Sequence, residues 1–166
     1  MTDDEILMRP CVAADAADLA EMYRLDRDEI EAAEPSQPPA FFEVDGQLDR
    51  ITRVWTEYRT LGFVAVERER IVGLFALEDV VEASAIVGYY VASDRRRQGV
   101  ATSGLRWLIE TAFRELGIRT LVVDIRPDNV GSLRVAERNG FGDERSVALD
   151  GVAHRRLTLR SKRTAD

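Results

Sequence analysis

Several absences in the 166-residue chain narrow its function before any motif is considered. There is one cysteine, Cys11, so no intrachain disulfide and no cysteine cluster for zinc. There is one histidine, His154, so an intrachain site built from several histidines is excluded and no metal is expected. No stretch approaches the roughly 18 consecutive apolar residues of a membrane span, so no membrane role is expected. The opening Met1-Thr2-Asp3-Asp4-Glu5 is acidic, unlike a secretory signal or a transit peptide. With the lone thiol, this leads us to expect a cytoplasmic protein. Basic charge is also short: the net charge of −7 argues against nucleic acid as a partner. What is present is an ordinary globular mixture, 45% apolar and 32% charged, long enough to bury a core as one domain over residues 1–166.

Three prolines in Glu34-Pro35-Ser36-Gln37-Pro38-Pro39 interrupt the chain as a loop between helices. Ahead of it, a short strand is expected at Ile6 to Arg9. A helix follows, N-capped by Asp15, with Leu19, Met22 and Tyr23 on its apolar face. The acidic run Asp26 to Glu31 reads as a solvated helix face. After the loop, Val44, Leu48, Ile51, Trp55 and Tyr58 mark a second amphipathic helix, with Gly62 as its stop. Strands are expected at Phe63 to Val66, Ile71 to Leu77 and Ala85 to Val91, the first two as a hairpin and the last central in the sheet. Leu105, Leu108, Ile109, Ala112, Phe113 and Leu116 define a helix over Ser103 to Leu116, ended by Gly117. With the strand Thr120 to Ile125 it completes a βαβ unit. A short helix from Gly131 to Arg138 stops at Asn139-Gly140. A hairpin across Asp150-Gly151 closes the chain, with strands at Asp143 to Leu149 and Arg155 to Leu159. The expected fold class is α/β, a mixed sheet with helices on both faces.

The most informative stretch joins the central strand to the long helix: Val91-Ala92-Ser93-Asp94-Arg95-Arg96-Arg97-Gln98-Gly99-Val100-Ala101-Thr102. The first N–H groups of a helix lack internal partners and the helix dipole is positive there, so such a place accepts phosphate. Gly99 and the small Ala101 allow close backbone approach, and three arginines supply charge. The plain alternative is a solvated basic turn. A phosphate loop of the Walker type needs Gly-Lys-Ser/Thr and a dinucleotide loop needs G-x-G-x-x-G; neither is present.

Arg96-x-x-Gly99-x-Ala101 resembles the acetyl-CoA motif of the GNAT N-acetyltransferase superfamily. Gly88-Tyr89-Tyr90-Val91 before it, and Asn129-x-x-Ser132 with Arg138-Asn139-Gly140-Phe141 after it, are similar to the branch containing the ribosomal-protein N-terminal acetyltransferases. The resemblance implies a mostly antiparallel sheet with a central splayed parallel strand pair, acetyl-CoA as co-substrate lying in the splay, and direct attack by an amine within a ternary complex. It implies that Tyr89, Tyr90 and Val91 border the pantetheine arm, with the amide near Val91 facing the thioester carbonyl. It implies that Arg96, Arg97, Gln98, Gly99, Val100 and Ala101, running into Thr102, cradle the pyrophosphate. Asn129 would contact the cofactor arm or cap the next helix. Ser132 would approach the sulfur as an acid, or merely bond backbone. Asp124, an acid inside the apolar strand Leu121 to Ile125, is either the base or one half of an ion pair with Arg119 or Arg126.

The chain also departs from its relatives. Ala136 stands where many of them carry a tyrosine that protonates the leaving thiolate, and the closing hairpin lacks their acidic residue. His154 is a base of suitable pKa on a hairpin where a surface role is the plainer reading. Glu78, Asp79 and Glu82 lie where an acceptor would enter or form a solvated turn. The acceptor implied is a primary amine, either a protein N-terminus or a small molecule, and a homodimer is a form common among relatives. The missing tyrosine keeps open another reading, a non-catalytic acyl-CoA sensor on the same fold.

Overall fold

A computed structural model describes residues 5–162. Seven strands form one sheet: β1 (Leu7–Pro10), β2 (Leu61–Glu67), β3 (Arg70–Val81), β4 (Ser84–Val91), β5 (Thr120–Ile125), β6 (Gly142–Leu149) and β7 (Val152–Arg160). Their spatial order is β1-β2-β3-β4-β5-β7-β6, and β4 with β5 is the one parallel neighbour pair. The tight turns match the strand twist: Arg68 and Glu69 both take positive φ between β2 and β3, as do Asp150 and Gly151 between β6 and β7.

Period-2 alternation gives the sheet two apolar faces. Phe63 and Ala65 point into one core and Val64 into the other. Helices α1 (Ala16–Leu25) and α2 (Arg27–Ala33) precede the proline loop. Helix α3 (Val44–Asp49) follows it and runs through a π-helical segment, Arg50–Val54, into α4 (Trp55–Glu57). Leu19, Met22, Phe42 and Trp55 from this half cover one face. On the other lie α5 (Val100–Arg114) and α6 (Val130–Arg138), whose Leu105, Leu108 and Leu133 meet Phe75, Val87 and Leu121. Burying each such leucine stabilises the fold by about 2 kcal/mol.

The βαβ unit, both hairpins and the α6 stop at Gly140 (φ 89°) are as the sequence leads one to expect. Four local expectations are corrected. Asp15 precedes α1 but does not cap it. Its buried carboxylate reaches back to Arg9 (2.7 and 2.8 Å) and accepts the Val12 N–H (2.8 Å). Gly62 is no helix stop. It lies in β2, where a Cβ would stand 2.2 Å from the Trp55 ring, and the left-handed residue after α4 is Arg59. The π-helical segment rotates the expected face, so Gln47 is buried while Val44, Leu48 and Tyr58 are exposed. Asp26 is buried, not part of a solvated acidic face. It accepts hydrogen bonds from the Tyr90 hydroxyl and from the hydroxyl and N–H of Ser93, tying the start of α2 to the end of β4.

Candidate active site

The parallel pairing of β4 with β5 stops after three residues, at Ile86 opposite Val122. Beyond it β4 runs on to Val91 with its β5-side edge unpaired, while Thr120–Ile125 of β5 stays hydrogen-bonded to β7. Unpaired strand N–H and C=O groups need a partner. They border a cleft of about 1340 Å³, to which Tyr89, Tyr90, Val91, Asn129 and Ser132 contribute.

At one end of the cleft the chain turns from β4 into α5. Gly99 takes φ 83° in open space, so it is required by backbone conformation and not by crowding. The first backbone bond of α5 is from Ser103 N–H to Gly99 O (2.9 Å), which leaves the N–H groups of the preceding first turn without intrahelical acceptors. Val100 is buried and anchors the turn; Ala101 and Thr102 line the cleft. The three arginines divide their tasks. Arg95 donates to Glu67 (2.6 Å), and Arg96 binds the Val91 carbonyl (3.1 Å), Tyr90 and Glu29. Desolvation opposes the Arg96 charge, but Glu29 outweighs it and the guanidinium is held protonated. Arg97 lines the cleft without a carboxylate partner among the described residues. Gln98 is spent on the Asp94 carbonyl (3.2 Å) and lies outside the lining. Arg134 and Arg138, one turn apart on α6, add two cations without an ion-pair partner among the described residues; the sequence motif gives neither a role.

Asn129 caps α6 through Oδ1, which accepts the Ser132 N–H (3.1 Å), and it also lines the cleft with its Nδ2 unspent among the described residues. Both sequence readings of this residue are therefore compatible. Tyr89 stacks on Phe75 and donates to the Ser132 carbonyl (3.0 Å), and Tyr90 turns to the opposite core. Asn139 holds α6 against α5 by donating to Thr102 O (3.2 Å) and Val135 O (3.0 Å). Ala136 is fully buried.

The other end of the cleft is formed by α1, α2, the proline loop and β3. Here Glu78 is open to the cleft and accepts no hydrogen bond among the described residues. Desolvation by the surrounding protein raises its carboxyl pKa; Arg50 offsets this in part and Glu34 adds to it. Gly88, on the unpaired part of β4, makes room for it: a Cβ there would stand 2.9 Å from Glu78 Oε1. A smaller cavity of about 480 Å³, bordered by Trp55, Tyr58 and Thr60, shares Arg50 and Glu78 with the main cleft.

Asp124 is placed elsewhere. It forms a bidentate pair with Arg156 of β7 (2.7 and 2.8 Å) and is not among the cleft-lining residues. The ion-pair alternative thus fits the geometry, with Arg156 as partner in place of Arg119 or Arg126. His154 bonds the Val152 carbonyl (2.9 Å) within the terminal hairpin, away from the cleft lining. Burial, with Asp15 beside it, pushes the Cys11 thiol up to about 12, which removes it as a nucleophile.

A strand pair splayed beside an orphan N–H turn, cationic at one end and carboxylate-bearing at the other, is an arrangement able to hold an anionic ligand along an open strand edge. Comparisons with known proteins give the family. The GNAT acetyltransferase domain family matches residues 5–142, and the chain belongs to that family of N-acetyltransferases. A probable N-acetyltransferase of Bacillus subtilis, YjcK, is 27% identical over 160 residues, covering 89% of this chain and 88% of that protein. Two solved structures share the fold. The ribosomal-protein-S5-alanine acetyltransferase of Vibrio fischeri superposes with a TM-score of 0.84 at 19% identity, over 95% of this chain and 93% of its own. Mycobacterium smegmatis RimJ, in complex with CoA-disulfide, gives 0.83 at 24% identity, over 96% and 84%. Among the described residues no helix is long and apolar enough to cross a membrane.

Proposed function

We propose that the protein transfers the acetyl group of acetyl-CoA to a primary amine, with Glu78 as the proton acceptor. The observation that carries this reading is the placement of an unpartnered carboxylate beside the unpaired stretch of β4. The residues present fit the co-substrate. Backbone groups of Gly88 to Val91 would pair with its amide-bearing arm. The N–H groups from Gly99 to Thr102, with Arg97, would hold the pyrophosphate. Arg134 and Arg138 are the cations available to a further phosphate. Bound acetyl-CoA supplies an activated thioester carbonyl.

The chain's own contribution is then acid–base and electrostatic. An alkylamine near pH 7 is mostly protonated and must lose a proton before it can attack. A carboxylate of raised pKa is better matched to that transfer than an ordinary one. An N–H of β4 near Val91 is the donor placed to stabilise developing negative charge on the carbonyl oxygen. Ser132, whose hydroxyl is unspent among the described residues, is the side chain available to a leaving thiolate, because Ala136 offers none. Asp124, which the sequence leaves open between base and ion-pair partner, takes a structural role in this reading. The lone cysteine suits a reducing compartment, and the cytoplasm is the proposed setting.

The test is thiol release from acetyl-CoA over a panel of short peptides, amino acids, polyamines and aminoglycosides, with product mass measured and a no-acceptor control. Acceptor-dependent release supports transfer. Acetyl-CoA binding with no release by any acceptor supports the sensor reading instead.

A further inference from the structure

Where the two cavities meet, Arg50 stands beside Glu78 with hydrogen-bonding capacity to spare. It opens the π-helical segment, a rare irregularity that recurs at functional sites. Its guanidinium is caged over three rings, with centroids 5.9 Å away at Tyr23, 5.3 Å at Phe41 and 5.5 Å at Trp55. The cage fixes the cation without using its N–H groups. One nitrogen, Nη1, makes two long bonds, to the Tyr23 hydroxyl (3.4 Å) and Gln47 Oε1 (3.3 Å). Among the described residues Nε and Nη2 donate to nothing, and no carboxylate lies within 4.0 Å of the group. In this acid-rich chain, Arg9, Arg95, Arg96 and Arg156 all hold a carboxylate. Arg50 is instead preorganised and left open to both cavities.

We propose that Arg50 is the acceptor-recognition residue: it donates to an oxygen carried close to the amine that Glu78 deprotonates, so that the acceptor class is an α-amine with a neighbouring carbonyl. This rests on the acetyl-transfer reading above and names its substrate class. A fixed cation next to an open carboxylate is complementary to an amine nitrogen and a carbonyl oxygen three bonds apart. It is anti-complementary to a polyamine, which offers positive charge and no acceptor atom. A peptide N-terminus and a free amino acid share the required chemistry.

The experiment measures acetyl transfer by the wild-type protein, Arg50→Met and Arg50→Lys. The four probes are an alanine-terminated tripeptide amide, free alanine, propylamine and spermidine. Acetyl-CoA binding to each protein is measured separately by calorimetry. The wild type should favour the alanine-bearing probes, and the ratio of peptide to free alanine tells the two sources apart. Loss of a charge-assisted hydrogen bond should lower kcat/KM for those probes by roughly 10- to 100-fold in Arg50→Met, mostly through KM. Propylamine should lose much less, in kcat and not in KM, because for it Arg50 acts only through its effect on Glu78. Arg50→Lys keeps the cation but not the planar fork and should recover part of the loss, which also guards against a methionine variant that folds poorly. Equal losses on the peptide and on propylamine, a wild-type preference for spermidine, or no transfer to any probe while acetyl-CoA still binds would overturn the assignment of Arg50 alone. Failure of the wild type to bind acetyl-CoA would overturn the functional reading beneath it.

Discussion

Glu78 and Asp124 are both acids on strands of one sheet, and their surroundings give them opposite tasks. Asp124 has both oxygens committed to the Arg156 fork, whereas neither Glu78 oxygen accepts a hydrogen bond among the described residues. Asp124→Asn should therefore cost about 1–3 kcal/mol of stability by leaving Arg156 unpaired. Thermal melts should show the loss, while the folded enzyme keeps its turnover. Glu78→Gln should lower kcat by about 10²- to 10⁴-fold with acetyl-CoA affinity intact. Its effect on stability has the opposite sign to that of Asp124→Asn. The Glu78 pKa is raised on folding, so the folded state binds the proton more tightly and stability falls as pH rises from the unfolded-state value through the folded one. Because Glu78 is solvent-exposed, the penalty on its ionised form at pH 7 is small, so Glu78→Gln should raise Tm there only slightly, with the difference vanishing below about pH 4. A catalytic group that destabilises its own fold is an expected cost of function. Sequence reading raised Asp124 as a candidate base, beside an ion pair, because an acid in an apolar strand needs a cleft or a partner. Its partner is 32 residues away on a strand paired only in the fold.

At the scale of elements, strand β4, the turn after it and helix α5 were legible in the sequence, because apolar spacing and an exposed Gly loop are local signals. What escaped were contacts made across elements. Gly104, inside α5, faces the Phe75 ring, which a Cβ would approach to 2.2 Å. Gly62 yields to Trp55 in the same way, and its position near a helix end misdirects. The π-helical segment that presents Arg50 has no period of its own to read, since the helical spacing on both sides looks regular. Gly104 inside α5 and Gly99 just before it separate by experiment. Gly104→Ala should destabilise by about 1–3 kcal/mol through overpacking. It should leave the acetyl-CoA dissociation constant of the folded protein nearly unchanged. Gly99→Ala meets no atom but pays about 1–2 kcal/mol for the left-handed backbone, and calorimetry should show weakened acetyl-CoA binding.

Over the whole molecule, charge and tethering are arranged around the cleft. The chain is acidic, yet Arg97, Arg134 and Arg138 gather at the end proposed for the phosphates, while Glu34 and Glu78 lie at the end proposed for the acceptor. Acetyl-CoA affinity should accordingly weaken as salt is raised, and each of these arginines changed to glutamine should reduce that dependence. The two halves are joined through Asp26. Burial raises its pKa, but hydrogen bonds from the Ser93 and Tyr90 hydroxyls and the Ser93 N–H, with Arg96 nearby, outweigh this and hold it below the ordinary value. The stability it provides is therefore present at neutral pH and is lost on acidification through that lowered value. Asp26→Ala should release α2 from the phosphate turn. Amide hydrogen exchange in Arg27–Ala33 should then speed up, and KM should rise for both substrates together.

The most direct test is the pH dependence of kcat/KM for acetyl transfer by the wild type, Glu78→Gln and Asp124→Asn, using an acceptor found active on the panel. The wild type should show an acid limb with a midpoint above the ordinary glutamate value of about 4.3. Asp124→Asn should retain that limb, and Glu78→Gln should lose it along with most of the rate. A Glu78→Gln enzyme with the wild-type rate and limb, or an Asp124→Asn enzyme lacking both while still folded and binding acetyl-CoA, would contradict the account.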